Sequence, residues 1–110
     1  MAKRALITGV GHYLPKRIVS NAEFEKTLNT SDEWIVTRSG IKQRHFSNED
    51  ETTSKMAILA GQQAIKNANL KISDLDAIIL ATSTADMTFP SAATMVQAGL
   101  GMRHGFAYDV

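Results

Sequence analysis

Thr30-Ser31-Asp32-Glu33-Trp34-Ile35-Val36-Thr37-Arg38-Ser39-Gly40-Ile41-Lys42-Gln43-Arg44-His45 is the most informative stretch of this chain. It holds the only tryptophan, two arginines, a lysine and a histidine behind a helix-start signal. Thr30 and Glu33 have the spacing of a capping box, which makes the Thr30 hydroxyl the expected cap. Asp32 and Glu33 put acids in the first turn, where the helix dipole favours them; this explains the pair better than acid–base chemistry does. Gly40 stands where such a helix ends. Trp34 and Arg38 are four residues apart and so share one helix face. An indole offers a flat face, and a guanidinium carries charge and can stack, so the pair can grip a flat, anionic ligand such as a nucleotide. Taken singly, the residues have plainer accounts. Trp34 alone reads as a packing residue, Arg38 as a solvated helix residue, and Lys42 and Arg44 as an ordinary charged loop.

Outward from this run, the chain reads as alternating strands and helices. Arg4 to Val10 reads as a buried strand closed by Gly9-Val10-Gly11. A dinucleotide loop would need a third glycine, but Leu14 stands there and Pro15 interrupts the helix that should follow, so a tight exit from a strand is the better reading. Ser20 and Glu23 form a second capping box, opening a short helix to about Leu28. Gly40 to Glu51 reads as a polar loop. From Thr52 to Asn67, Met56, Leu59, Ala60, Gln63, Ala64 and Asn67 mark one side of a helix, with Ile58 and Ile65 widening the stripe. Asn69 to Leu75 is a turn region. Ala77 to Thr82 is a continuous apolar run, as expected of a strand covered on both faces. Ser91 caps a helix that ends at Gly99 or Gly101. Phe106 to Val110 begins another buried strand. The order predicts an α/β fold with right-handed crossovers.

Composition narrows the function classes. At 110 residues, 44% apolar and 21% charged, the chain fits one small globular domain or a piece of a larger one. A net charge of +1 supplies no global field for nucleic acid or membrane. With no cysteine, the segment holds no disulfide and no thiolate–metal site. His12, His45 and His104 are scattered without metal-ligand spacing. Met95 and Met102 read as core or interface filler. The start of the chain is too short and too interrupted for a signal peptide. No run approaches the roughly 20 apolar residues of a membrane span, so the expected location is the cytoplasm.

The chain also resembles a known family. Thr8-Gly9-Val10-Gly11-His12-Tyr13-Leu14-Pro15, the Thr30 to His45 run, Ala81-Thr82-Ser83-Thr84, Phe89-Pro90-Ser91-Ala92-Ala93 and Tyr108-Asp109-Val110 occur in the family's order. They are similar to the N-terminal part of β-ketoacyl-acyl carrier protein synthase III, the initiating condensing enzyme of type II fatty acid synthesis. The resemblance implies a thiolase-like α/β fold with layered αβαβα architecture, and a homodimer. It implies transfer of acetyl from acetyl-CoA to an enzyme cysteine, then decarboxylative condensation with malonyl-acyl carrier protein. The CoA thioester is then a substrate, and no cofactor or metal is expected. Trp34 matches the tryptophan that stacks on adenine, Thr30 a polar contact near that base, and Arg38 the arginine at the CoA entrance. Lys42 and Arg44 resemble part of the acyl carrier protein surface. Phe89 matches a residue that closes the dimer partner's acyl pocket. The family's cysteine falls a few residues after the position of Val110, and its histidine and asparagine partners lie farther on. Residues 1–110 are therefore expected to be inactive alone, because nothing in them replaces a thiolate as nucleophile and leaving group. Two other readings stay open: a related condensing enzyme with another primer, and a non-catalytic protein that binds CoA or an oligomer partner. An uncovered sheet edge counts against the last.

Overall fold

The computed structural model describes residues 2–110. They fall into two compact units: the segment up to Tyr13 with Thr52–Val110, and Leu14–Glu51.

In the smaller unit, β1 (Arg17–Ser20) leads directly into α1 (Asn21–Glu25). Next come α2 (Asp32–Ser39) and β2 (Gln43–Phe46). β1 and β2 pair antiparallel, with Ile18 opposite His45 and Val19 opposite Arg44. The sequence predicts a loop where β2 forms. A four-residue strand reading Gln-Arg-His-Phe has no apolar alternation to reveal it, and only its pairing with β1 makes it a strand. Val19 is the buried apolar residue here. Phe24 and Phe46 lie 6.1 Å apart, Arg44 sits 4.4 Å over Phe24, and Arg17 sits 5.6 Å over Phe46. Aromatic faces and guanidinium planes thus supply packing that a small apolar core lacks. The capping box expected at Ser20 does not form: Ser20 makes no side-chain cap bond, and Glu23 instead meets Arg17 at 2.8 Å.

In the larger unit, α3 (Thr53–Asn67) and a 3-10 turn (Ile72–Asp74) precede β3 (Ala77–Leu80). α4 (Ala92–Leu100) and β4 (Phe106–Asp109) follow. β3 and β4 pair in parallel, Ile78 opposite Ala107 and Ile79 opposite Tyr108, as a strand–helix–strand unit should. α4 packs on both strands, and α3 packs on α4. Ala92, Ala93, Val96 and Met102 form the buried core. Among the described residues the Ala77 run is covered on one face. α4 covers the face carrying Ile78 and Leu80, while Ile79, Phe106 and Tyr108 are exposed on the other. The rings of Phe106 and Tyr108, two residues apart on that face, stack at 6.1 Å.

Both main helices are held at their starts by distant carboxylates. Ser91 caps α4 as expected, accepting from Thr94 N–H at 3.3 Å, and Gly101 ends it at φ 76°. In addition Asp109 on β4 accepts from Ala92 N–H at 2.8 Å and Ala93 N–H at 2.7 Å. At α3, Thr52 makes no cap bond, and Asp86 takes that role. It accepts from Ser54 N–H at 2.8 Å and from Ser54 Oγ–H at 2.6 Å. Partial desolvation pushes the Asp86 carboxyl up, but hydrogen bonds from Ser54 and Thr52 outweigh this and hold it below its ordinary 3.8.

Arg4 to Val10 is not a strand. Among the described residues it pairs with no strand. Val10 C=O accepts from Asn67 Nδ2 at 2.8 Å, and the His12 N–H donates to Gln63 Oε1 at 2.8 Å. The end of the segment, from Gly9 on, lies against α3, while Leu6 and Ile7 are 83% and 88% exposed. Gly9 and Gly11 permit the approach. A Cβ on Gly9 would stand 2.5 Å from Ala64 O, and one on Gly11 would overlap Ala60 O and Ala64 N. The Gly-x-Gly therefore marks a close crossing over a helix rather than a strand exit.

Two predictions follow from these bonds. Gly11→Ala drives a methyl into helix backbone that cannot swing away, and it should cost about 1–3 kcal/mol by urea denaturation; a parent-like midpoint would contradict the crossing. Asp86 has a lowered pKa, so its stabilisation is present above the unfolded value and lost as pH falls through the folded one. Asp86→Asn should be less stable than the parent at neutral pH, with the gap closing below about pH 4. A gap that persists in acid would contradict the role given to the carboxylate.

Candidate functional site

α2 presents the site, and its local chemistry fixes where it starts and stops. The cap is Ser31, not Thr30: Ser31 Oγ accepts from Trp34 N–H at 3.1 Å. The Thr30–Glu33 box does not form, because the chain turns into helix one residue later and leaves Thr30 outside it. Asp32 and Glu33 occupy the first turn and Arg38 the last, each at the favourable end of the dipole. Gly40 ends the helix at φ 70°, its N–H bonded to Val36 O at 2.8 Å. A left-handed residue there releases the chain toward β2.

The four-residue spacing brings Trp34 and Arg38 together. The guanidinium carbon lies 4.4 Å from the indole centroid. Trp34 is nonetheless 54% exposed. With Ser31, Glu33 and Thr37, the pair lines a shallow, open depression. A large aromatic face held half in water by a cation is ready for a flat ligand, and the cation adds attraction for a phosphate.

The other residues expected from the sequence are placed elsewhere. Thr30 is half-buried and does not line this depression; its N–H bonds Leu28 O at 2.9 Å. Lys42 is exposed just before β2, and its carbonyl accepts from Asn21 N–H at 3.3 Å. Arg44 is not an open surface charge. Its guanidinium donates to Val19 O at 3.2 Å and to Asn21 Oδ1 at 2.5 Å while stacking on Phe24. Phe89 belongs to the other unit, 86% exposed on the loop before α4. The His45 Nδ1–H donates to Pro15 O at 2.6 Å. Among the described residues, no three His, Cys, Asp or Glu side chains are grouped to hold a metal. Asn21 carries no sequence signal for its role. It is 1% exposed and bonded to both flanks of α2. An asparagine after a serine looks like part of a helix start, and only the folded chain shows what its amide meets.

Known proteins resolve what this arrangement belongs to. No family-level sequence model matches the chain. It is 66% identical over all 110 residues to a protein of Ruegeria sp. (strain TM1040) named β-ketoacyl-[acyl-carrier-protein] synthase III. It is 61% identical over 108 residues to the protein of that name from Paracoccus denitrificans. The solved 3-oxoacyl-[acyl-carrier-protein] synthase III of Aquifex aeolicus VF5 matches 94% of the chain with TM-score 0.88 and 48% identity. Over its whole length the chain is similar to proteins of the β-ketoacyl-acyl carrier protein synthase III family. Its fold is the α/β, thiolase-like fold of those proteins. It spans 34% of the length of the Ruegeria relative and 33% of the Aquifex chain. The priming β-ketosynthase of the R1128 polyketide pathway superposes equally well, with TM-score 0.88 at 31% identity over 31% of its length.

The bonds of Arg44 generate a stability prediction. Arg44→Ala removes the donor to Val19 O and to Asn21 Oδ1 and leaves buried acceptors unpaired, so it should cost about 1–3 kcal/mol. Chemical denaturation of that variant reads this directly; a change under about 0.5 kcal/mol, as for ordinary surface substitutions, would contradict it.

Proposed function

We propose that the whole protein is an initiating condensing enzyme of type II fatty acid synthesis, an acyltransferase that joins acetyl-CoA and malonyl-acyl carrier protein. A cysteine thiolate outside these 110 residues attacks the acetyl thioester, and CoA leaves as its thiolate. Malonyl-acyl carrier protein then loses CO2, and the resulting carbanion attacks the acetyl-enzyme carbonyl, expelling the cysteine and giving acetoacetyl-acyl carrier protein. The thiol suits both steps because its thiolate attacks well and leaves well. The thioesters carry the reactivity, and no cofactor or metal has a role.

On this reading the segment supplies the nucleotide face. Trp34 stacks on the adenine of CoA, Arg38 neutralises phosphate beside it, and Thr30 flanks the same end from before the helix. Lys42 faces the acidic carrier protein, with Arg44 contributing mainly by holding the strand that presents it. Phe89 closes the acyl pocket of a second subunit in a homodimer, and its exposure fits that use. The observation that carries the proposal is the exposed, arginine-backed Trp34 on a chain 66% identical to a protein of that name. No helix is long and apolar enough to cross a membrane among the described residues, and we place the enzyme in the cytoplasm.

A second reading keeps the chemistry and changes the primer. It is favoured by the equal structural likeness to the R1128 priming ketosynthase. Mass analysis of the products formed from a panel of acyl-CoA primers with malonyl-acyl carrier protein separates the two.

The site itself is tested by Trp34→Ala in the full-length protein. CoA affinity, measured calorimetrically, should weaken by about 1–3 kcal/mol, the scale of base–aromatic stacking. An unchanged affinity would remove the nucleotide face from α2.

A further inference from the structure

α2 carries the ligand pair but has no buried residue of its own. It is eight residues long, below the length at which a helix is stable in water without tertiary support. Its orientation must therefore come largely from what holds its flanks.

One side chain holds both. The Asn21 amide nitrogen donates to Asp32 Oδ1 in the first turn of α2 at 2.8 Å. The same nitrogen donates to the carbonyl of Ile41, one residue beyond the terminal Gly40, also at 2.8 Å. Its oxygen accepts from Arg44 Nη2 at 2.5 Å. Two acceptors on one side and a donor on the other allow a single orientation of the amide. At 1% exposure, water has almost no access to compete for these bonds. The Asn21 backbone N–H is also used, on Lys42 O at 3.3 Å. Asn21 thus clips the start of α2, its exit and the β2 strand to one point.

We propose that Asn21, backed by Arg44, is a positioning residue for nucleotide recognition: it sets the angle at which α2 presents Trp34 and Arg38. This rests on the reading of α2 as the face that meets the nucleotide end of CoA. Asn21 does not touch the ligand. A polar clip suits the task because it fixes direction, whereas a slippery apolar contact would let a short helix roll.

The test is a comparison of two thioesters in the full-length protein: acyl-CoA, and the same acyl group on pantetheine, which lacks the nucleotide. Asn21→Ala should lower kcat/KM for acyl-CoA about ten- to a hundredfold, mainly through KM, as misplacing a positioning group does. Turnover of acyl-pantetheine should stay within about twofold of the parent. Asn21→Asp should be at least as damaging for acyl-CoA, because its carboxylate would face the Asp32 carboxylate and the Ile41 carbonyl. Parallel loss of both substrates, or loss of neither, overturns the proposal.

If the Asn21 variants fail to fold, Asp32→Ala removes one arm of the clip at an exposed residue and must show the same selectivity in weaker form; without it the proposal falls. Trp34→Ala separates the nucleotide face from the clip. If it spares acyl-CoA as well as acyl-pantetheine, the nucleotide-face reading fails and takes the clip with it. If it is selective for acyl-CoA while Asn21→Ala and Asp32→Ala are not, only the clip fails.

Discussion

Unpaired backbone N–H groups at helix starts are the constraint on which this chain is built. Each helix leaves such groups without a partner inside itself, and burying them unmet is costly. At the starts of α2, α3 and α4, acidic side chains from other elements meet some of them, beside the serine caps of α2 and α4. Asp109 crosses from β4 to the start of α4, Asp86 from a loop to the start of α3, and Glu25 from the end of α1 to Asp32 N–H at 2.6 Å. With a core of few fully buried apolar side chains, these bonds decide where the helices begin and how they are tied to strands. The negative charge also sits at the positive end of each helix dipole.

The helical part of this plan was legible because its signals are local. Ser91 before a run of small residues, Gly40 and Gly101 in left-handed closures, and the stripe along α3 all lie within a few residues of what they control. The strands were less legible. β3 and β4 announce themselves as apolar runs, but β1 and β2 are short and mixed, and only their pairing defines them. The Arg4 to Val10 run has the composition of a strand, yet in this chain it lies on α3 through Gly9 and Gly11. Composition describes which residues tolerate extension; it does not say what lies beside them.

The site divides in the same way. The Trp34–Arg38 pair was readable from a four-residue spacing and is present as a cation–π contact. Ser31 displaced Thr30 as the cap because a one-residue shift of a helix start is beyond what propensity resolves. The partners of Arg44 and the clip at Asn21 were not readable, since both join residues about twenty apart in sequence whose contact exists only after folding. A basic residue in a polar stretch looks like a surface for acidic partners. In the fold one backbone acceptor, one side-chain acceptor and an aromatic face already claim Arg44.

On the proposed function, α2 is where the nucleotide lands. The most direct measurement is an NMR titration of the full-length protein with adenosine 3′,5′-bisphosphate, the nucleotide end of CoA without its thioester arm, following the Trp34 indole N–H. A saturable shift of that resonance, with ring-current shifts of the adenine protons, is the predicted result. Saturable binding that leaves the Trp34 indole unmoved would place the nucleotide elsewhere and contradict the account.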